Sequence, residues 1–238
     1  MELSGKKALV TGGARRIGRA ISLALAQAGC EVVVHYHRSG ASAINLAAKL
    51  RRENSTALAL GADLRRPEEC RRLVDQAWRA LGGLDILINN AAVFEKHDLQ
   101  RTGARILYAT MAVNLTAPVL LTRYFAKRAK KGKIVNLLDQ RIGACRSDGV
   151  AYVLSKRALA DFTTMAAFDL SPEITVNAIA PGPVLPPTSA AHREPAGAIP
   201  LQHRPAPEDI VRTLLFLLHS DAITGQVIFV DGGQHLLG

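Results

Sequence analysis

Short runs of consecutive apolar residues recur along this chain, and longer segments with helical spacing lie between them. The runs read as strands at Lys7–Thr11, Glu31–Tyr36, Ala57–Gly61, Asp85–Asn89, Lys133–Leu138, Thr175–Ala180 and Gln226–Val230. Val32-Val33-Val34 and Ile86-Leu87-Ile88 are apolar at every position rather than at alternate ones. A strand with one wet face alternates, whereas a strand covered on both faces has no need to. In the intervening segments, such as Ile17–Ala28 and Pro67–Leu81, apolar residues fall at i, i+3 and i+4. Strand and helix in alternation imply right-handed crossovers and a parallel sheet with helices on both faces. The expected fold is α/β, a doubly wound, seven-stranded sheet of Rossmann type, with residues 1–238 forming a single domain.

A chain of 238 residues can bury a core large enough to stand without staples. Aromatic residues make up only 5% of it, so that core must rest on Ala, Val, Leu and Ile. Cys30, Cys70 and Cys145 are far apart and lack CxxC spacing, which points to unpaired thiols and to no metal site. The N-terminus turns polar at once, and no uncharged apolar run approaches the roughly 18 residues of a membrane span. A cytoplasmic protein is expected. The formal net charge of +10 admits nucleic acid, a membrane surface or an anionic small molecule as partner, or only an Arg-rich solvated surface. The basic runs are scattered, and no aromatic-rich RNA-binding signature accompanies them, which makes nucleic acid an unfavoured partner.

The first strand runs into Thr11-Gly12-Gly13-Ala14-Arg15-Arg16-Ile17-Gly18, and a helix follows. Glycines there let the backbone turn tightly against a pyrophosphate, and the helix N-terminus offers free N–H groups and a positive partial charge. The usual GxGxxG is not matched, so it is the strand-before, helix-after context that gives the turn weight. The second strand ends in His35-Tyr36-His37-Arg38-Ser39. An acid about 20 positions after the glycines would bind a ribose 2′-OH and favour NAD. Here Arg38 stands at that distance from Gly18, flanked by His37 and Ser39. Its guanidinium can hold the 2′-phosphate of NADP in a fork, or it is a solvated loop arginine. Asp63 and Leu64 after the third strand, and Asn90 and Ala91 after the fourth, lie at strand ends where cofactor contacts are expected.

Tyr152 and Lys156 are four apart in a helical segment and so share a face. An ammonium beside a phenol is expected to lower the tyrosine pKa from about 10 and make it a usable general acid. The proline-rich segment Pro181–Pro207 follows a strand and cannot be one helix. It is expected to be a mobile lid over the ligand, or else an ordinary surface excursion.

Together these pieces resemble the short-chain dehydrogenase/reductase family over essentially the whole chain. The resemblance rests on the Thr11–Gly18 turn, Asn89-Asn90-Ala91, Asn114, Tyr152-x-x-x-Lys156, Pro181-Gly182 and Gly225–Gly233. It implies NAD(P), a Tyr–Lys–Asn proton relay in which Asn114 helps hold a water, and Lys156 on the nicotinamide ribose. It also implies a homotetramer packed through long helices at about Gly103–Lys130 and Val150–Leu170. The implied cofactor contacts are Gly12, Arg15, Arg16, Ile17, Gly18, His37, Arg38, Ser39, Asp63, Leu64, Asn90, Ala91, Lys156, Pro181 and Gly182.

Two departures narrow the resemblance. Arg16 stands where the family turn usually has glycine. Asp139, thirteen before Tyr152, stands where the family usually has its catalytic serine, while Ser147 lies only five before. Both departures resemble the pteridine reductase subgroup, which uses NADPH, an Asp–Tyr–Lys site, and an aromatic at the position of Phe94 to stack a pterin. Ala92 and Val93 stand where that subgroup often has serines. Phe94 is then a stacking ring or a core residue, Arg16 a pterin or phosphate contact or a helix-surface arginine, and Asp139 an active-site or a solvated loop acid.

The chemistry of Asp139 bears on this choice. Carbonyl reduction develops negative charge on oxygen, which a hydroxyl donor stabilises and a carboxylate opposes. Reduction of C=N builds basicity on nitrogen, which a carboxylate tolerates. The sequence therefore favours NADPH-dependent reduction of a dihydropterin, with Asp139, Tyr152, Lys156 and Asn114 as the catalytic group and Arg16, Phe94, Asp139 and Tyr152 facing the substrate. The alternatives are a carbonyl reductase acting on a 3-oxoacyl thioester or another ketone, and a non-catalytic NADPH-sensing or nucleic-acid-binding protein.

Overall fold

The computed structural model describes residues 1–143, 149–184 and 199–237. Seven strands form one parallel sheet: β1 (Lys7–Val10), β2 (Glu31–Tyr36), β3 (Ala57–Gly61), β4 (Ile86–Asn89), β5 (Gly132–Leu137), β6 (Ile174–Pro181) and β7 (Val227–Val230). Their order is β3-β2-β1-β4-β5-β6-β7, so the winding direction reverses between β1 and β4. Every sequence-based strand is present, with ends within one residue of those expected.

The helices are α1 (Arg16–Gln27), α2 (Gly40–Arg52), α3 (Pro67–Leu81), α4 (Ala104–Met111), α5 (Ala117–Ala126), α6 (Val150–Asp169) and α7 (Pro207–His219). They cover both faces of the sheet, which is why the strands have no wet face to alternate with. Val10, Val32, Val34, Ile86 and Ile88 pack on one side with Ile21 and Leu25 of α1, Leu46 of α2 and Leu214 of α7. Leu9, Val33, Leu87 and Ile134 pack on the other with Leu73 of α3, Phe125 of α5 and Ala166 of α6. Burying a Leu, Ile or Val side chain contributes about 1.5–3 kcal/mol.

The long helix expected over Gly103–Lys130 is interrupted. A π-helical turn, Ala112–Thr116, joins α4 to α5, with buried Asn114 at its centre. Ala104–Ala126 is long and apolar enough to cross a membrane by length and composition alone. In the fold α4 packs against α6, and α5 against α3. Cys30 and Cys70 are buried free thiols, as expected, and burial pushes both up to about 11. Cys145 and Ser147 lie outside the described residues, as does the middle of the Pro181–Pro207 segment, 185–198. The near end of that segment, Pro181–Val184, lines the cleft described below. Its far end is tied down: Leu201 N–H donates to Gly232 O at 3.1 Å, and a Cβ on Gly232 would meet Ile199 at 2.5 Å.

Candidate active site

The reversal between β1 and β4 opens a crevice at the carboxyl ends of the strands, where open α/β sheets take their ligands. It is a cleft of about 900 Å³ with a cofactor-like and a substrate-like end. At the first end, Asn90 Nδ2 donates to Thr11 O at 2.8 Å and to Gly12 O at 3.2 Å, while Thr11 Oγ1 accepts the Asn90 and Ala91 N–H groups. This binds the glycine turn to the β4 end. Gly12 has φ 61, and a Cβ on Gly18 would overlap the Gly12 carbonyl, so both positions require glycine. Arg16 itself has φ 52, in the left-handed region that favours glycine. The family's usual glycine at this position therefore has a backbone reason. α1 has no side-chain cap and no acid in its first turn, leaving its N-terminal N–H groups to face the cleft.

His35, for which sequence spacing suggests no role of its own, sets the rest of this end. Its Nδ1 accepts the Gly12 N–H at 3.1 Å, which leaves Nε2 to donate to Ala62 O at 3.1 Å. Burial pulls the imidazole down to about 4, so it is neutral at pH 7 and joins the ends of β1, β2 and β3. Beyond it, His37, Arg38, Ser39, Asp63 and Leu64 line the cleft together with Arg15, Arg16, Ile17, Asn90 and Ala91. The Asp63 carboxylate lines the cleft already paired. Arg65 grips both its oxygens, with Nη2–Oδ2 at 2.6 Å and Nε–Oδ1 at 2.9 Å, and this pairing holds the carboxyl down at about 2.

At the other end, Phe94, Asp139, Tyr152 and Lys156 converge from β4, β5 and α6. Tyr152 OH donates to Asp139 Oδ2 at 3.0 Å, and Asp139 Oδ1 accepts the Arg141 N–H at 2.9 Å. The Phe94 ring meets Tyr152 edge-on, with centroids 4.8 Å apart, and is 45% exposed, so it is a cleft residue rather than a core one. Asn114 is buried and does not line the cleft among the described residues. Its Oδ1 accepts the Val93 N–H at 2.8 Å, and its Nδ2 reaches Val93 O at 2.9 Å and Ser155 Oγ at 3.1 Å. It acts on the cleft by fixing the backbone just before Phe94, and the π turn aims it there, as such turns often do at functional sites.

One expectation needs correction. Lys156 does not lower the Tyr152 pKa. Its Nζ is turned away to donate to Leu137 O at 2.6 Å and lies 5.8 Å from the Tyr152 ring centroid. Burial, and then the Asp139 carboxylate, push the Tyr152 phenol well above its ordinary 10. Burial also pulls Lys156 down to about 8, against the attraction of Asp139. A fully buried ammonium needs a near acceptor, and the strand-end carbonyl supplies it.

Three arginines of the cleft were not singled out from the sequence: Arg65, Arg105 and Arg141. Arg141 lies 5.0 Å over the Phe94 ring, with Nη1 3.6 Å from Asp139 Oδ2. The Asp-x-Arg spacing was the available signal, and a short 3₁₀ turn at Gln140–Gly143 gives it meaning. Counting these three, the cleft carries six arginines (15, 16, 38, 65, 105 and 141) against the acids Asp63, Glu95 and Asp139. Part of the chain's positive charge is thus gathered where an anionic ligand would lie.

The sequence matches the short chain dehydrogenase family over residues 6–197. The chain belongs to that family. A 3-oxoacyl-[acyl-carrier-protein] reductase of Synechocystis is 34% identical over 242 residues, covering 98% of both chains. The crystal structure of FolM alternative dihydrofolate reductase 1 from Brucella canis, complexed with NADP, superposes with a TM-score of 0.93 at 36% identity, covering 99% of this chain and 96% of that one. A short chain dehydrogenase from Burkholderia cenocepacia, also in complex with NADP, gives 0.92 at 32% identity, covering 98% and 99%. This member of the family is accordingly an oxidoreductase with the expected seven-stranded parallel fold, and the expected NADP(H) accords with these neighbours.

Proposed function

We propose that this protein reduces a dihydropterin, of the dihydrobiopterin, dihydromonapterin or dihydrofolate type, to its tetrahydro form with NADPH. The observation that carries the reading is the Tyr152–Asp139 hydrogen bond at 3.0 Å, where a serine hydroxyl would serve a carbonyl reductase. The likeness to FolM supports it. The first end of the cleft suits NADP(H): the uncapped α1 N-terminus and the Gly12 turn for the pyrophosphate, Arg38, His37 and Ser39 for a 2′-phosphate, and Pro181 and Gly182 beside the nicotinamide. When bound, NADPH supplies the hydride.

In this reading Phe94 gives a flat face for the pterin, and Arg16 reaches its polar edge. Tyr152, kept protonated by burial and by Asp139, is the acid that gives its proton to the ring nitrogen as the adjacent carbon takes the hydride. The C=N bond thereby becomes CH–NH. The resulting phenolate regains a proton from solvent by way of Asp139, whose carboxylate its hydroxyl contacts at 3.0 Å. Asn114 holds Val93, and through it Phe94, in place.

A second reading, carbonyl reduction, has an observation of its own. Arg141 beside Asp139 offsets the carboxylate that would oppose an oxyanion, and the Synechocystis relative is an oxoacyl reductase. NADPH oxidation with dihydrobiopterin, dihydromonapterin, dihydrofolate and acetoacetyl thioester in parallel separates the two. Turnover of a dihydropterin supports the proposal, and turnover of the thioester alone overturns it.

We place the protein in the cytoplasm as a homotetramer. Exposed Tyr108 of α4 and Leu154, Met165 and Phe168 of α6 support assembly through these helices. A monomer mass by light scattering contradicts it.

A further inference from the structure

Beside the end of β2, the parallel register of β3 brings a second loop into the adenosine end of the cleft. Tyr36 is paired with Gly61, so the residues that follow each strand, His37-Arg38-Ser39 and Asp63-Leu64-Arg65, lie next to one another. His35 Nε2 on Ala62 O and the Ala62 N–H on Tyr36 O, at 3.0 Å, hold the two strand ends together.

Asp63 is the hub of the second loop. Its backbone N–H donates to Glu69 Oε2 at 2.9 Å, and its carboxylate takes both the backbone N–H and the Nε–Nη2 edge of Arg65. His37 Nε2 lies 3.7 Å and Arg66 Nε 4.0 Å from the same carboxylate. The loop therefore presents to the cleft a guanidinium whose rotamer is set by the carboxylate beside it. An arginine side chain ordinarily loses much freedom when it binds an anion; one preset by a carboxylate loses less. The grip on Asp63 uses one edge of the guanidinium and leaves Nη1 outside it, on a side chain that lines the cleft alongside Arg38. Arg66 carries the same charge and touches the same carboxylate, yet it does not line the cleft and its side chain is 66% exposed.

We propose that Arg65, preset by Asp63, is a residue that selects NADPH over NADH by contacting the 2′-phosphate with Arg38. The inference rests on the NADPH reading above and is independent of which substrate is reduced. It changes what the third strand contributes: Asp63 acts on the cofactor through Arg65 rather than by offering its own carboxylate.

Calorimetric titration of NADPH and NADH into the intact protein and its Arg65→Gln, Arg65→Lys and Arg66→Gln variants tests this, with circular dichroism melts to confirm folding. Arg65→Gln is expected to weaken NADPH about tenfold and leave NADH within roughly twofold, as for loss of one charge-assisted contact. Arg66→Gln, which removes an equal charge from the same loop, is expected to change NADPH by less than about twofold. Arg65→Lys should fall between, since an ammonium keeps the charge but not the fork. Equal losses of NADPH in Arg65→Gln and Arg66→Gln would reduce Arg65 to general field and overturn the proposal. Equal losses of NADPH and NADH would make it a structural strut and overturn it too. Tighter binding of NADH by the unaltered protein is a different result, which removes the NADPH reading itself together with this inference.

Discussion

At the end of the cleft proposed for the cofactor the backbone makes the site: the Gly12 turn, the bare N-terminus of α1 and the strand ends joined through His35. At the end proposed for the substrate, side chains from separate segments make it: Phe94 after β4, Asp139 and Arg141 after β5, Tyr152 and Lys156 on α6. The first kind of site tolerates varied side chains provided that glycines stay where the chain turns. The second changes its chemistry with a single residue, because each group is poised by its neighbours. Within one family, cofactor binding is then shared and the reaction is what varies.

The largest expected break between the two ends comes from Tyr152→Phe. Loss of the proton donor should lower kcat by about a thousandfold while NADPH affinity, measured by titration, holds within roughly twofold. A loss of affinity as large as the loss of kcat would show that the two ends are not separable.

His35 sharpens the comparison from the cofactor end, with an effect on stability rather than on chemistry. Its pKa is about 4 in the fold against 6.5 in an open chain. Between those values the unfolded state binds a proton that the native state excludes. The stability it contributes is therefore whole above 6.5 and is lost as pH falls toward 4, on the order of 3 kcal/mol. Denaturant unfolding of the protein and of His35→Gln between about pH 7 and about pH 4 should show a steeper loss in the unaltered chain. Parallel curves would mean that the imidazole is not the titrating group.

Arg16 gives the smallest and most particular effect. Its φ of 52 costs a non-glycine residue about 1 kcal/mol or more. Arg16→Gly should accordingly raise unfolding free energy by about 1 kcal/mol, yet weaken the substrate or NADPH. A gain in stability without loss of binding would mean that the arginine is retained for neither ligand.

Much of the fold was legible because the strands carry their burial in their composition. Val32–Val34 and Ile86–Ile88 are apolar throughout and lie between two layers of helices. The glycine turn was legible because its function is local, lying within eight residues from Thr11 to Gly18. Arg38 was found by its distance from that turn. The substrate end was legible only as a set of residues. Tyr152 and Lys156 do share a helix face, but whether the ammonium turns to the phenol or to Leu137 O depends on β5, far away in sequence. Asn114 was singled out as part of a relay, whereas the bonds it makes to Val93 depend on a π turn that spacing alone does not reveal. Arg65 and Arg141 each gain their place from an aspartate two residues before them, within loops whose direction only the folded sheet sets.

The central claim is that Asp139 commits the substrate end to C=N reduction. The direct test is the ratio of kcat/KM for dihydropterin to that for acetoacetyl thioester, in the unaltered protein and in Asp139→Ser. The account predicts that the ratio favours dihydropterin in the unaltered protein and falls by about tenfold or more in the variant, as a hydroxyl donor replaces a carboxylate acceptor. A variant that keeps full dihydropterin turnover and an unchanged ratio would contradict it.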